Sequence, residues 1–408
     1  MKRGLSIAAV ALSGIISTSA QAQLSCDKSY GFQVAVNGNQ GSLICDSKST
    51  SFIDALKNFS TSNINYTDTS VANVLGRFSD VNINLSYLDS STRLNYNFVE
   101  IGEHGSFTGA TRKESQRMLE DYIKKNGIIG KIMNYQAQHS ATSPITGAGG
   151  MIPMMMSADF NASFSASPTA VSAPASSGAG NNNLLGVGLS YGSYNVSNSA
   201  DKVSTASIPL SYTIRNDIDP RRQLSFSMPI TVVEVGSAKT VHSGLGVAYR
   251  LPLSDYWTIT PSARYSAVAS ADRATVATLY SASVASNYVI PMSGFDIAIG
   301  NMLGYYQTGK FSAGDYSFDP SIKSMAMRNG VMLSQPVNLG KKMTIEYSLI
   351  DTRYFGGDKP FLDNFQELGI TIGTNKSAQD ARSFVRGGLT LMRGPGTQGF
   401  TANIGYWF

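Results

Sequence analysis

Gly399-Phe400-Thr401-Ala402-Asn403-Ile404-Gly405-Tyr406-Trp407-Phe408 is the stretch that decides the reading of this chain. Successive side chains on an extended strand point to opposite sides. Phe400, Ala402, Ile404, Tyr406 and Phe408 therefore share one face, and Gly399, Thr401, Asn403, Gly405 and Trp407 share the other. The first face is apolar and mostly bulky. The second is mostly small and polar. Such a strand suits a wall with lipid on one side and a polar interior on the other.

The same alternation recurs upstream. Leu368, Ile370 and Ile372 alternate with Gly and Thr. Met343, Ile345, Tyr347 and Leu349 alternate with Thr344, Glu346 and Ser348. Leu224 to Val232 and Ile208 to Ile214 repeat the pattern. With less regular segments around 185–196, 241–251, 257–267, 276–290, 295–306, 322–334 and 383–392, the count reaches about twelve, an even number as bacterial barrels require. Residues 184–408 are read as an all-β transmembrane antiparallel barrel.

An even strand number puts both barrel ends on one side of the membrane. Pro252 to Asp255, Pro291 to Gly294 and Pro336 to Lys342 then become short inner turns. Thr308 to Pro320 and Phe355 to Asn364 become long outer loops. Tyr249, Tyr256, Trp257, Tyr406 and Trp407 gather at the inner end, as an aromatic girdle would.

Composition agrees. The 408 residues are 14% charged and 42% hydrophobic, with 39 Gly and 20 Tyr. Beyond the first two dozen residues no uncharged apolar run approaches the ~18–20 residues of a spanning helix. A net charge of +5, evenly spread, gives no basis for nucleic-acid binding.

Residues 1–22 read as a signal peptide: Lys2 and Arg3, an apolar Leu5–Ile16 segment, and small residues up to Ala22. Cys26 and Cys45 follow, the only two cysteines. Export places them in an oxidising compartment, where a disulfide is expected. Between them lie an apolar strand and the turn Asn37-Gly38-Asn39. A lipid anchor on Cys26 is rejected, because Gln23-Leu24-Ser25 matches a lipobox poorly.

Residues 23–156 read as a small α+β module. Ser51 to Asp54 resembles a capping box before Phe52, Ile53, Leu56 and Phe59. Val71–Leu88 and Arg93–Ile101 read as strands. A helix starts after Thr111, with Glu114 as its box partner, Met118, Leu119, Tyr122 and Ile123 as its stripe, and Gly127 as its terminator. A second amphipathic stretch spans Ile128–Met133. Met151-Ile152-Pro153-Met154-Met155-Met156 is read as core of this module in preference to a docking segment. Residues 157–183, rich in Ser, Ala, Asn, Gly and Pro, read as a flexible linker.

Strand parity places Arg215, Arg250, Arg264, Arg328 and Arg386 in the lumen, with Glu346, Asp296 and His242. Two readings stay open: a basic lumen that favours anionic solutes, or a salt-bridged network that fills a small barrel. No enzymatic activity and no cofactor or metal site is expected. His242 and Ser243 are adjacent, so they point to opposite faces of a strand, and His104 and His139 stand apart from any ligand cluster.

The amphipathic strand ending in Tyr406-Trp407-Phe408, together with the signal peptide, resembles the C-terminal strand of Gram-negative outer-membrane β-barrels, which the barrel assembly machinery reads. The resemblance covers the last ~225 residues at class level. It implies an outer-membrane location, lipid and the assembly machinery as partners, and one of three roles. The first is a channel or export pore, for an anionic solute or an exported protein, plugged or gated by a periplasmic N-terminal module. The second is an autotransporter-like translocator or adhesin displaying that module. The third is a non-conducting structural barrel. Autotransporters place a helix in the pore before the first strand, a pattern from which the composition of 157–183 departs.

Overall fold

In the barrel strands an inward side chain meets other protein atoms and an outward one meets none. Along β17 (Lys323–Val337), Ser324, Ala326, Arg328, Gly330 and Met332 are buried while Met325 and Val331 are exposed. A computed structural model describes residues 24–54, 65–164 and 183–407, apart from 198, 217, 220, 314–315, 338–342 and 375–383. The signal-peptide segment, Leu56, Phe59 and Phe408 lie outside the described residues.

The N-terminal module contains β1 (Tyr30–Val36), β2 (Asn39–Gln40), β3 (Ile44–Asp46), β4 (Ala72–Phe78), β5 (Val81–Tyr87), β6 (Arg93–Phe98) and β7 (Glu103–Thr108). They form one antiparallel sheet in the order β2-β1-β4-β5-β6-β7, with β3 also on β1. Asn37 and Gly38 take positive φ at the β1–β2 turn, the conformation an Asn-Gly pair tolerates. The long stretch Val71–Leu88 is two strands, because Ser79 and Asp80 also take positive φ and reverse the chain.

One sheet face carries Tyr30, Phe32, Val34, Val74, Ile83, Leu94, Tyr96 and Phe98 into a core shared with Leu119, Ile128 and Ile132. Those last three come from the helices Arg112–Lys125 and Ile128–His139. The Thr111 hydroxyl accepts the Glu114 N–H, and the Glu114 carboxylate accepts from Ala110 N at 2.7 Å, satisfying two otherwise orphan donors. Cys26 and Cys45 are joined as a disulfide.

The barrel is closed and twelve-stranded. Its strands are β8 (Leu184–Val196), β9 (Val203–Arg215), β10 (Gln223–Val235), β11 (Ala238–Pro252), β12 (Trp257–Ser270), β13 (Thr275–Pro291), β14 (Asp296–Gly309), β17, β18 (Met343–Gly357), β19 (Asn364–Thr374), β20 (Phe384–Gly394) and β21 (Thr397–Trp407). Two short strands, β15 (Phe311–Ala313) and β16 (Tyr316–Phe318), form a hairpin in the β14–β17 loop. The seam pairs β21 with β8, Tyr406 opposite Val187. Closure leaves no sheet edge for the backbone to expose.

The outer surface is apolar strand after strand: Leu189, Ile208, Phe226, Leu245, Tyr265, Leu303, Leu349, Leu368 and Ile404 are all exposed, Leu368 by 58%. A folded chain leaves such a continuous belt uncovered only where something other than water covers it. No helix among the described residues is long and apolar enough to cross a membrane.

The helix Met151–Phe164 corrects two expectations. Residues 157–164 belong to it and not to a linker. Met151, Ile152, Met155 and Met156 join the barrel core, with Leu279, Met302, Tyr306 and Met332, and not the module sheet core. The segment that looked like module core is a plug inside the barrel.

Candidate functional site

The lumen is the candidate site, and its contents follow from strand direction. β8 begins and β21 ends at one mouth, together with the turns around 216–222, 253–256 and 292–295. The opposite mouth carries the β8–β9, β10–β11, β12–β13, β14–β17 and β18–β19 connections. The helix enters at that second mouth. Gly149, just before it, packs against Val203 and Val233, at the loop ends of β9 and β10. Its last turn reaches Arg250 and Gly300, near the other ends of β11 and β14. At 1.5 Å per residue its 14 residues span roughly 21 Å, most of the ~25 Å apolar band of such barrels.

Three arginines of the wall hold the helix. Arg250 donates to the carbonyls of Ala162 and Ser163 at 2.9 and 2.7 Å, carbonyls that the end of a helix leaves without partners. Arg264 donates from Nε and Nη2 to Asp159 Oδ1 at 3.2 and 2.9 Å, and Ser283 Oγ donates to Asp159 Oδ2 at 3.4 Å. Both charges are almost fully buried, so each depends on the other for solvation. Arg328 pairs with Glu367 at 2.6 Å, donates to Thr352 Oγ1 at 3.2 Å, and lies 5.2 Å from the Phe160 ring centroid.

Glycines in the wall receive the two phenylalanines. Gly300 and Gly330 are cross-strand partners on β14 and β17. A Cβ at Gly330 would lie 3.0 Å from Phe160 Cζ and 3.2 Å from Phe164 Cζ, and a Cβ at Gly300 would clash with Phe164 outright. The missing side chains make the socket into which the rings fit.

The structure brings several of the lumenal charges together in pairs. Arg386 pairs with Glu346. Arg250, Arg264 and Arg328 are occupied as described. Arg215 and Asp296 sit at the turn-side ends of β9 and β14, half-buried and outside these pairs. His242 faces inward, 1% exposed, with no hydrogen-bond partner for either ring nitrogen among the described residues. Sequence reasoning missed Asp159, which lay in the supposed linker. It also missed Glu367, although the outward Leu368 beside it fixes its inward parity.

The module sits on the loop mouth, not at the mouth beside the barrel ends, so the expectation of a module at the latter mouth is not met. Tyr30 Oη donates to Arg273 O at 2.8 Å, and Ser49 N to Asp272 O at 2.7 Å. Ser47 Oγ donates to Asp201 Oδ2 at 2.5 Å, and Asn134 Nδ2 to Pro320 O at 2.8 Å. Burial raises the Tyr30 phenol above its ordinary range, which keeps it protonated and donating. Residues 140–150 form a buried neck between module and lumenal helix. Arg273, in the β12–β13 turn, donates to Thr142 O at 2.9 Å and so ties neck and module to one turn.

Neither a family model nor a curated protein matches this sequence. Among solved structures, the β domain of the Bordetella autotransporter BrkA is similar over 56% of this chain and 99% of its own, at 11% identity and TM-score 0.44. The translocator domain of the autotransporter NalP from Neisseria meningitidis covers 56% and 89%, at 10% identity and TM-score 0.43. An outer membrane channel from Pseudomonas putida F1 covers 55% and 94%, at 13% identity and TM-score 0.37. The likeness is one of barrel architecture, which translocators and channels share.

Proposed function

We propose that this chain is an outer-membrane barrel that carries its own N-terminal module to the far side of the membrane and then closes on the connecting helix. The observation that carries this reading is the direction of Met151–Phe164. It runs from the module-bearing mouth to the mouth where β8 begins and β21 ends. The barrel assembly machinery works from the inner side, where both barrel ends lie in an even-stranded barrel. A module at the opposite mouth, joined through the lumen, is then outside, displayed in the manner of an autotransporter-like translocator or adhesin. The apolar outer belt supports membrane insertion.

This reading replaces the periplasmic plug. Closure comes instead from the lumenal helix, through Phe160 and Phe164 in their glycine socket and the Asp159–Arg264 pair. The finished molecule is a sealed display platform, and the exported cargo is its own residues 24–139.

Replacing residues 24–139 by an unrelated epitope-tagged segment, with 140–408 intact, tests this reading. The epitope is expected at the surface of intact cells. Retention of the epitope in the periplasm beside a correctly inserted barrel would overturn it.

A further inference from the structure

The module sheet has a second face that packs against nothing among the described residues. Its register lines up two rows of side chains. Gln40, Ala35, Asn73, Ser86, Asn95 and Ser106 follow one another across six strands. Gln33, Leu75, Asn84, Asn97 and His104 form the row beside it. All of them except Ser106 and His104 of β7 line an open trough of ≈ 460 Å³ between β2 and β6. At ~4.8 Å between strands and roughly 6.6 Å between same-face residues along a strand, the amides form a regular lattice.

The chemistry of that lining is selective. No charged and no metal-ligating side chain lines the trough. Asn73, Asn84, Asn97 and Gln40 make no side-chain hydrogen bond with any described residue, although each amide can donate two and accept two. Gln33 is held by Gly41 O at 3.1 Å, which fixes one corner. An acidic polymer would need cations here, and an apolar chain would need larger hydrophobic sockets than Ala35 and Leu75 supply. A ligand dense in hydroxyls, each both donor and acceptor, matches a neutral amide lattice.

The module docks on the barrel through Tyr30, Ser47, Ser49 and Asn134, at strand ends and on a helix, so the trough stays open. We infer that this face of the module is a binding site for a neutral saccharide chain. The inference rests on the proposed display only for its cellular setting, since binding by the purified protein does not depend on which side of the membrane the module occupies.

Full-length protein in a detergent without sugar headgroups is titrated calorimetrically with maltohexaose, cellohexaose and mannohexaose, with a heparin hexasaccharide as the anionic comparison. Saturable binding of at least one neutral probe is expected. Asn84→Ala and Asn97→Ala together are expected to weaken it by about tenfold or more, as loss of hydrogen bonds would. Glu120→Gln, on an exposed helix face, should leave binding unchanged. Asn73→Ala provides a second lining variant, and the thermal midpoint of each variant checks the fold. Absence of binding to all three neutral probes, binding unmoved by the lining substitutions, or preference for heparin would each overturn the inference. A surface-labelling result would stand apart from all of these.

Discussion

Among the described residues, Asp159 and Arg264 form the one ion pair between the helix and the wall in which both side chains are nearly inaccessible to water. Removing one partner leaves a buried uncompensated charge, a loss of about 3–5 kcal/mol. Asp159→Ala should therefore lower the unfolding midpoint of the purified full-length protein markedly. Asp159→Ala combined with Arg264→Met should recover much of the loss. Additive losses in the double variant would show that the pair is not coupled. Gly300→Ala belongs to the same class. Its methyl collides with Phe164, so it should destabilise the plugged state by about 1–3 kcal/mol, and Phe164→Ala should relieve that clash at the cost of a cavity.

Asp46 gives a pH dependence at the edge of the module. Burial pushes its carboxyl up, but hydrogen bonds from Ser51 and from the backbone N–H groups of Lys48 and Ser47, with the Lys28 charge, outweigh burial and hold it below the usual carboxylate range. The folded value lies below the unfolded one. Its stabilising contribution is thus complete above the unfolded value of about 3.9 and disappears as pH falls through the folded value. Asp46→Asn should flatten the acid limb of module unfolding below about pH 4, followed by near-ultraviolet circular dichroism, and change little at neutral pH.

At the scale of elements, the twelve strands were legible because each has one face on lipid and one on the interior, so alternation survives along its length. The helix Arg112–Lys125 was legible for the parallel reason: Leu119 is buried while Arg117 and Glu120 face water. Met151–Phe164 was not: it packs on the β11–β14 side of the lumen, and its opposite face, where Met154, Ser157 and Ala158 are half-buried and Asn161 is exposed, carries small and apolar residues and no charge. Without a charged stripe, the 3.6-residue period that betrays a surface helix is absent from the sequence. Its Ser, Ala and Asn content then resembled a linker, and Asp159, its single charge, had no visible purpose. Pro153 was no obstacle, since it lies in the first turn, where a missing N–H costs nothing. Phe160→Ala with Phe164→Ala should loosen the plug. In planar bilayers the wild type should show low conductance and this double variant frequent openings. Indistinguishable traces would mean that the rings do not seal the lumen.

The whole molecule is one chain folded through itself: module, neck, lumenal helix, barrel. A single core runs from Ile129 and Met133 of the module through Met155 and Phe160 to Met302 and Tyr306 of the wall. That continuity could not be read from residues in isolation, because it depends on which mouth the module occupies, a property of the path and not of any segment. It also separates this arrangement from a tethered plug. The module is bound by Arg273, Asp272, Asp201 and Pro320, each from a connection at the loop mouth.

Labelling with a membrane-impermeant maleimide shows on which side of the membrane the module rests. Lys113→Cys places a thiol on an exposed module helix, and Ser254→Cys places one in an exposed turn at the opposite mouth. On intact cells the Lys113→Cys variant should label fully, and the Ser254→Cys variant only after the outer membrane is permeabilised. Labelling of Ser254→Cys on intact cells with Lys113→Cys protected would contradict the account.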